Sequence, residues 1–403
     1  MDEVHVVTCV LRNRGRVLLL RRSDAVGSYT GRWGMVAGHA EGQPDEQAWV
    51  EIVEETGLRD ACTLVRHGDP FTVTDAERGT RWVVHPSLFD CATRDMTPNE
   101  ETTDWEWVNP VEIRRRDTVP ELWTSYRRVA PTLDTVRNDR EHGSAWLSLR
   151  ALEVLRDAAI DGDSRSDIAA LARDLRDARD MGVVTNRVNR AMATADFDAF
   201  ADAVQAVIDA AAAADEQAAA RAADRLTNET VVTLSRSGTV QRALETGDPD
   251  RVIVAESRPE REGTTVAEAL APAVDVTLTT DAAAPGLIAD ADRVIVGADA
   301  VQPDGSLVNK TGTYPLALAA ARAGVTVDAV CARDKIATDR VDPTEESDHA
   351  LVYDGDADLN VAAPLFETVP NDLVDSVVTE TGVLDAADIE RAAAEHRRIA
   401  DWE

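Results

Sequence analysis

Lysine is almost missing from this chain. Of its 42 basic residues only Lys310, in "SLVNKTGTY", and Lys335, in "CARDKIA", are lysines, and the other forty are arginines. A side chain discarded almost everywhere and kept twice marks two positions where a compact ammonium on a flexible stem does what a planar guanidinium does not. Aromatic residues are scarce too, at 4%. Cations as a class are outnumbered, 74 acidic residues to 42 basic, for a net charge of −32. That balance argues against a nucleic-acid face, which needs clustered positive charge. Together with abundant Ala, Asp and Val it points to a halophilic protein, because at molar salt the Debye length shrinks to ~3 Å and carboxylate repulsion is screened. No apolar run reaches the roughly 18 residues of a membrane span. The start, "MDEVHVV", lacks the basic and apolar regions of a signal peptide. The cysteines, Cys9, Cys62, Cys91 and Cys331, form no CxxC pair and no zinc-ligand spacing. They read as reduced thiols in a cytoplasmic protein, with Cys9 and Cys331 in apolar runs as core residues.

What is present divides the chain. A length of 403 residues suggests two or three domains. The polar stretch "APTLDTVRNDREHG" (130–143) has little apolar period and suits a junction. Before it, "VHVVTCVL" and "RVLLLRR" flank the turn "RNRG" as a hairpin. "RWVVHPSLFD" and "DWEWV" add strands, and one helix covers Pro44–Thr56, which makes a mixed α+β domain over 1–135. Residues 144–227 are expected to be a helical subdomain, with apolar spacings of three and four in "AWLSLRALEVLRDAA" and "IAALARDLRDARDM" and an Ala-rich helix around 208–224. From 228 to 403 the strands "VVTL", "RVIVA", "DVTLT", "RVIVG" and "VDAVCA" alternate with helical segments, the pattern of a doubly wound parallel α/β sheet.

Glu51, Glu54 and Glu55 stand at i, i+3 and i+4 on one helix face. A solvated acidic face is one explanation. The other is a hard divalent cation, Mg²⁺ or Mn²⁺, held by carboxylate oxygens, which would bridge phosphate oxygens and polarise an attacking water. Gly57 then stops the helix. The surrounding "GHAEGQPDEQAWVEIVEETGL" resembles the Nudix box, and the three glutamates fall on that family's metal-binding positions. "GRWGMVAGHAEG" resembles its lead-in and "DWEWV" a later strand, over about residues 1–130. The resemblance implies an α/β/α sandwich and metal-dependent hydrolysis of a nucleoside-diphosphate-linked compound, with Arg32 and Trp33 among the contacts. Val50 replaces the family's Arg, which orients a metal-binding Glu. The loop after Gly38 is about two residues short, which leaves Glu41 as the nearest counterpart of the early Glu.

In an open parallel sheet, ligands bind beyond the carboxyl ends of the strands. Ser235, Arg236, Ser237 and Gly238 follow "VVTL" and lead into a helix, an arrangement suited to phosphate. Glu256, Arg258, Glu262 and Gly263 follow "RVIVA"; Asp299 follows "RVIVG"; Asn309 and Lys310 come next, and Lys335 is a second anchor. Singly these are caps, loops and turns; together they predict a pocket for an anionic metabolite. "TLSRSGTV", "AESRPEREG", "VIVGADAVQPDGSLVNKTGTYPLALAA" and "PLFETVPNDLVDSVVTETGVL" resemble the family of translation initiation factor two-B alpha, beta and delta subunits. That family also holds methylthioribose-1-phosphate and ribose-1,5-bisphosphate isomerases. "SAWLSLRALEVL" and "RDMGVVTNRVNRAM" resemble its helical N-terminal region, and the likeness covers about 144–390. It implies a helical subdomain, a Rossmann-like subdomain, homo-oligomers and a nucleotide or sugar-phosphate ligand. Isomerase members use a Cys after the first strand and the Asp of "GAD". Asp299 matches the second, and Ser235 stands in the Cys place. A thiol ionises near pH ~8.5 and an aliphatic hydroxyl far higher, so Ser235 would need a separate base, and these motifs hold no His. A Nudix hydrolase fused to a sugar-phosphate or nucleotide-binding module is the leading expectation. A bifunctional enzyme with isomerase activity and a non-catalytic regulatory protein are the alternatives. All three depend on side chains at this rim, with Asp299, Arg258 and Lys310 expected among them, forming a pocket for a negatively charged metabolite.

Overall fold

The structure, a computed structural model, describes residues 2–179, 181–193 and 196–402. It is a multidomain α/β protein of two compact units. The first comprises Met1–Thr132, Glu153–Ile168 and Asp196–Asp209, and the second the remaining segments Leu133–Leu152, Ala169–Ala195 and Ala210–Glu403.

The first unit starts with strands β1 (Asp2–Asn13) and β2 (Arg16–Arg22). Arg14 and Gly15 join them with φ of 51° and 73°, the two positive angles that a tight hairpin loop demands. There follow β3 (Trp33–Gly34), β4 (Val36–His39), α1 (Pro44–Thr56), β5 (Cys62–His67), β6 (Phe71–Asp75), β7 (Thr80–Cys91) and β8 (Thr102–Val108), then the short helices α2 (Glu112–Arg115) and α3 (Leu122–Arg127). The sheet runs β3-β2-β1-β7-β5, with β4 on β1, β6 on β7 and β8 on β2. Strands β1 and β2 are apolar on both faces because both faces are covered. Cys9, Leu11, Leu18 and Phe89 pack with Ile52 of α1; Val10, Val17, Leu19 and Leu88 pack with Leu122 and Tyr126 of α3. Pro44 opens α1, and Gly57 closes it with φ 69° and its N–H on the Val53 carbonyl.

The middle of the chain is helical: α4 (Leu133–Asn138), α5 (Ser144–Asp161), α6 (Arg165–Asp177), α7 (Gly182–Met192) and α8 (Phe200–Ala223). Its residues are divided between the units. Within the first unit they carry a buried charge cluster. Arg156 pairs with Asp157 at 2.8 Å and donates to the Gly15 carbonyl and to Gln205 Oε1, each at 2.7 Å. Arg12 bridges Asp90 and Glu153 at 2.6 and 3.0 Å.

The second unit continues with β9 (Thr230–Leu234), α9 (Gly238–Thr246), β10 (Arg251–Ala255), α10 (Glu262–Leu270), β11 (Asp275–Thr279), α11 (Ala284–Leu287), β12 (Arg293–Val296), β13 (Ala300–Val301), β14 (Leu307–Lys310), α12 (Thr313–Ala323), β15 (Thr326–Val330), β16 (Phe366–Val369), β17 (Ser376–Thr379), β18 (Gly382–Leu384) and α13 (Ala386–Ala400). The main sheet has the order β11-β10-β9-β12-β15-β17-β18, and β13, β14 and β16 form a small separate sheet. The main strands are parallel except β18. Four of five residues in β9 and in β10 are buried, as expected where helices cover both faces. The chain winds outward from β9 through β10 to β11, then crosses to β12 on the other side. This reversal opens a crevice at the carboxyl ends of β9 and β12, the switch point where such sheets bind ligands. Among the described residues no helix is long and apolar enough to cross a membrane, and all four cysteines are buried and unpaired as disulfides.

Candidate functional site

In the first unit, α1 aims two glutamates at β4. Glu55 is 6% exposed and accepts the Ala37 N–H at 3.1 Å. Burial pushes its pKa up to about 8; the Ala37 N–H offsets this only in part, and Glu51 adds repulsion. Glu51 is half-buried and also shifted up by burial, with Gln47 Nε2 donating to it at 2.8 Å. Its carboxyl fills the space beside Gly38, where an added Cβ would lie 1.8 Å from Oε1. Glu54, next to Glu55 in the chain and so about 100° around the helix from it, is exposed. Among the described residues no group of three or more His, Cys, Asp or Glu side chains converges to hold a metal. Of the three glutamates, Glu51 and Glu55 thus lie against β4 and Glu54 faces solvent. Val50 is 41% exposed. The cation whose field favours ionised Glu55 is Arg22 of β2, which the sequence reading missed. Arg32 pairs with Asp117 at 3.4 Å, and Trp33 lies under Arg116 at 4.5 Å.

In the second unit, a polar cavity of about 120 Å³ opens at the switch point. Ser235 leaves β9 with φ 58°, a left-handed conformation that costs a non-glycine residue on the order of 1 kcal/mol. It is 5% exposed, and its Oγ has no hydrogen-bond partner among the described residues. Ser237 caps α9, its Oγ accepting the Val240 N–H, and Gly238 and Thr239 bring the positive end of that helix to the cavity wall. Gly297 makes room for this turn, since a Cβ there would stand 2.8 Å from Ser237 Oγ. Asp299 Oδ1 accepts Ser144 Oγ at 3.0 Å. Lys335 donates to the Ala298 carbonyl at 2.6 Å and lies 3.9 Å from Asp299. Lys310 is 2.7 Å from Glu262 and 3.4 Å from Glu260. Burial lowers its pKa, but those two carboxylates outweigh burial and raise it. Asn309 Nδ2 donates to Thr313 at 2.9 Å.

Arg236, Asn309, Asp299 and both lysines therefore face one cavity. Glu256, Arg258 and Gly263 are not among the residues lining it. Asp281 accepts the N–H groups of Ser257 and Arg258 at 2.7 and 2.6 Å, which fixes the "ESRPEREG" loop by its backbone. Glu256 pairs with Arg261 at 3.0 Å, and Gly263 lets α10 close on the Ala255 carbonyl. The shared cavity of Asp299, Arg258 and Lys310 is thus corrected to Asp299 and Lys310, with Arg140, Arg179 and Arg236 as the arginines present.

Residues 140–386 match the initiation factor 2 subunit family, and residues 1–133 match the NUDIX domain. The chain belongs to the initiation factor 2 subunit family and carries an N-terminal NUDIX domain. Ribose 1,5-bisphosphate isomerase of Haloferax volcanii is 33% identical over 285 residues, covering 64% of this chain and 87% of that protein. Methylthioribose-1-phosphate isomerase of Xanthomonas euvesicatoria is 35% identical over 182 residues; the match spans 41% of this chain and 49% of that protein. Two solved structures share the fold: the Pyrococcus horikoshii translation initiation factor eIF-2B (TM-score 0.56, 24% identity, 62% of this chain and 94% of that one) and the 5-methylthioribose 1-phosphate isomerase of the same organism (TM-score 0.53, 19% identity, 73% and 90%).

In this family member the segment read as a junction builds part of the cavity. Arg140, His142 and Ser144 line it, as does Arg179 from the loop before α7. None sits at a strand end, where sequence reasoning looked. A serine opening an amphipathic helix at position 144 was the one available signal.

Proposed function

We propose that the second unit binds a phosphorylated aldose at the β9/β12 switch point and that the NUDIX unit hydrolyses a nucleoside-diphosphate-linked compound. One observation carries the first part: the two lysines of an otherwise lysine-free chain line the same cavity as the N-terminus of α9. Backbone N–H groups at that helix start, with Arg236, suit a phosphate. Lys335 beside Asp299 suits the sugar end. Lys310, already neutralised by Glu260 and Glu262, would exchange a carboxylate for the ligand. Aldose–ketose isomerisation is the second reading for this cavity. The likeness to a ribose 1,5-bisphosphate isomerase over 87% of its length supports it, and so does the place of Asp299. For the NUDIX unit, Glu51 and Glu55 are the acting carboxylates, with Mg²⁺ or Mn²⁺ as the expected ion. A salt-rich cytoplasm and a homo-oligomer complete the proposal.

The test uses the full-length protein in molar KCl with Mg²⁺, a panel of nucleoside diphosphate derivatives and a panel of aldose phosphates. Hydrolysis is expected to disappear in Glu55→Gln and to persist in Asp299→Asn. Aldose-phosphate turnover is expected to behave in the opposite way. Absence of both binding and turnover for every aldose phosphate overturns the assignment of the cavity.

A further inference from the structure

Isomerising an aldose phosphate means moving a proton between neighbouring carbons, so the cavity needs a base. Ser235 is a poor one, since its hydroxyl is hard to ionise and is buried without a partner among the described residues. Cys331, buried at the end of β15, has its thiol pushed up to about 12 by burial. Among the lining carboxylates, Glu260 and Glu262 hold Lys310, Glu345 holds Arg179 at 2.9 Å, and Asp299 accepts the Ser144 hydroxyl at 3.0 Å and lies 3.9 Å from Lys335. The lining contains one imidazole, His142.

That imidazole is 39% exposed but held in place. Its ring stacks on Trp146, centroids 3.9 Å apart and 13° from parallel, and Arg150 stands 4.8 Å over the same indole. Its Nδ1 lies 2.9 Å from Asp139 Oδ2. Asp139 Oδ1 also accepts the backbone N–H groups of Glu141 and His142 at 3.0 and 2.8 Å. Burial works against the Asp139 anion, but these N–H groups and the His142 ring outweigh it and hold its pKa below the ordinary value. An ionised Asp139 keeps the proton on Nδ1 and leaves the Nε2 lone pair as the acceptor, as carboxylate–imidazole pairs do elsewhere. The segment itself is clamped. Arg179 donates to the Asp139 carbonyl at 2.6 Å, Arg236 donates to the Glu141 carbonyl, and Ser144 holds Asp299.

We propose that His142 is the acid–base residue of this cavity, with Asp139 as its positioning residue. The proposal rests on the aldose-phosphate reading and supplies the group that Ser235 does not. In a ring-closed aldose 1-phosphate, His142 Nε2 takes the proton from C2. The C2–H electron pair becomes the C1=C2 bond as the bond from C1 to the ring oxygen breaks, and that oxygen takes a proton from the Lys335 ammonium, which lies 3.9 Å from Asp299. His142 then returns its proton to C1, the C2 hydroxyl proton passes through the Asp299 carboxylate back to Lys335, and C2 becomes a carbonyl. All three residues end as they began, and no oxidant or further reactant is consumed.

The experiment follows ribose 1,5-bisphosphate with the full-length protein in molar KCl. It measures binding by calorimetry, turnover across pH, and deuterium uptake at C1 of the ketose in D₂O. The wild type is expected to turn over and to place deuterium at C1. In His142→Gln, kcat is expected to fall about 100-fold or more, with binding nearly unchanged and the rising limb of the pH profile gone. Added imidazole is expected to restore part of the activity of His142→Ala. Asp139→Asn is expected to shift that limb without abolishing binding. Wild-type turnover that His142→Gln leaves intact, pH profile included, overturns the His142 assignment alone. Binding without turnover in the wild type overturns it too and leaves the cavity reading standing. Neither binding nor turnover overturns both.

Discussion

Gly38 and Glu51 show how one missing side chain shapes the NUDIX unit. Because an added Cβ at position 38 would meet the Glu51 carboxyl at 1.8 Å, Gly38→Ala is expected to push that flexible side chain aside. Thermal stability should change by less than about 1 kcal/mol, while hydrolysis drops at least about tenfold; retained hydrolysis would show that the position of Glu51 does not matter. Glu55 carries a pH signature. Its carboxyl is neutral in the fold and ionised in the unfolded chain between the ordinary 4.5 and about 8, so the fold binds more protons there. Stability in EDTA should therefore fall as pH rises through that window and level off above it. Glu55→Gln should flatten this slope in denaturation curves recorded from pH 4 to 9. The sequence showed three glutamates on a helix face; it could not show that the i+3 member turns to solvent, because that depends on where β4 lies. Lys310 and Lys335 were legible because they are rare. Arg22 was one arginine among forty, with nothing local to single it out.

Elements were more legible than their neighbours. The hairpin of β1 and β2, the helix α1 with its Gly57 stop and the strands β9, β10, β11, β12 and β15 follow from local periodicity and turn chemistry, which short stretches encode. The small sheet of β13, β14 and β16 pairs Leu307–Lys310 with Phe366–Val369, a long-range choice that no short window contains. The junction at 130–143 looked like a linker because its residues contact the cavity through backbone carbonyls and single polar side chains, which leave no period. Two substitutions test the element packing. Arg156→Met takes from buried Asp157 its closest cation, at 2.8 Å, and is expected to cost about 3–5 kcal/mol in urea unfolding. Gly263→Ala would set a Cβ 2.1 Å from the Ala255 carbonyl oxygen, a backbone atom that cannot swing away. It is expected to destabilise the β10–α10 connection by about 1–3 kcal/mol.

At the scale of the whole molecule, charge and cavity are the two properties that matter. With a net charge of −32, self-repulsion is weakened once salt contracts the Debye length. The melting temperature is expected to rise steadily between about 0.1 M and 2 M KCl, and a flat response would remove the basis for the halophilic reading. The cavity at the β9/β12 switch point is the centre of the account. The most direct measurement is a calorimetric titration of the full-length protein with ribose 1,5-bisphosphate in molar KCl, repeated on Lys335→Met. The account predicts saturable binding by the wild type and a loss of at least about tenfold in affinity for the variant. Equal affinity in the two proteins, or no heat of binding in either, would contradict it.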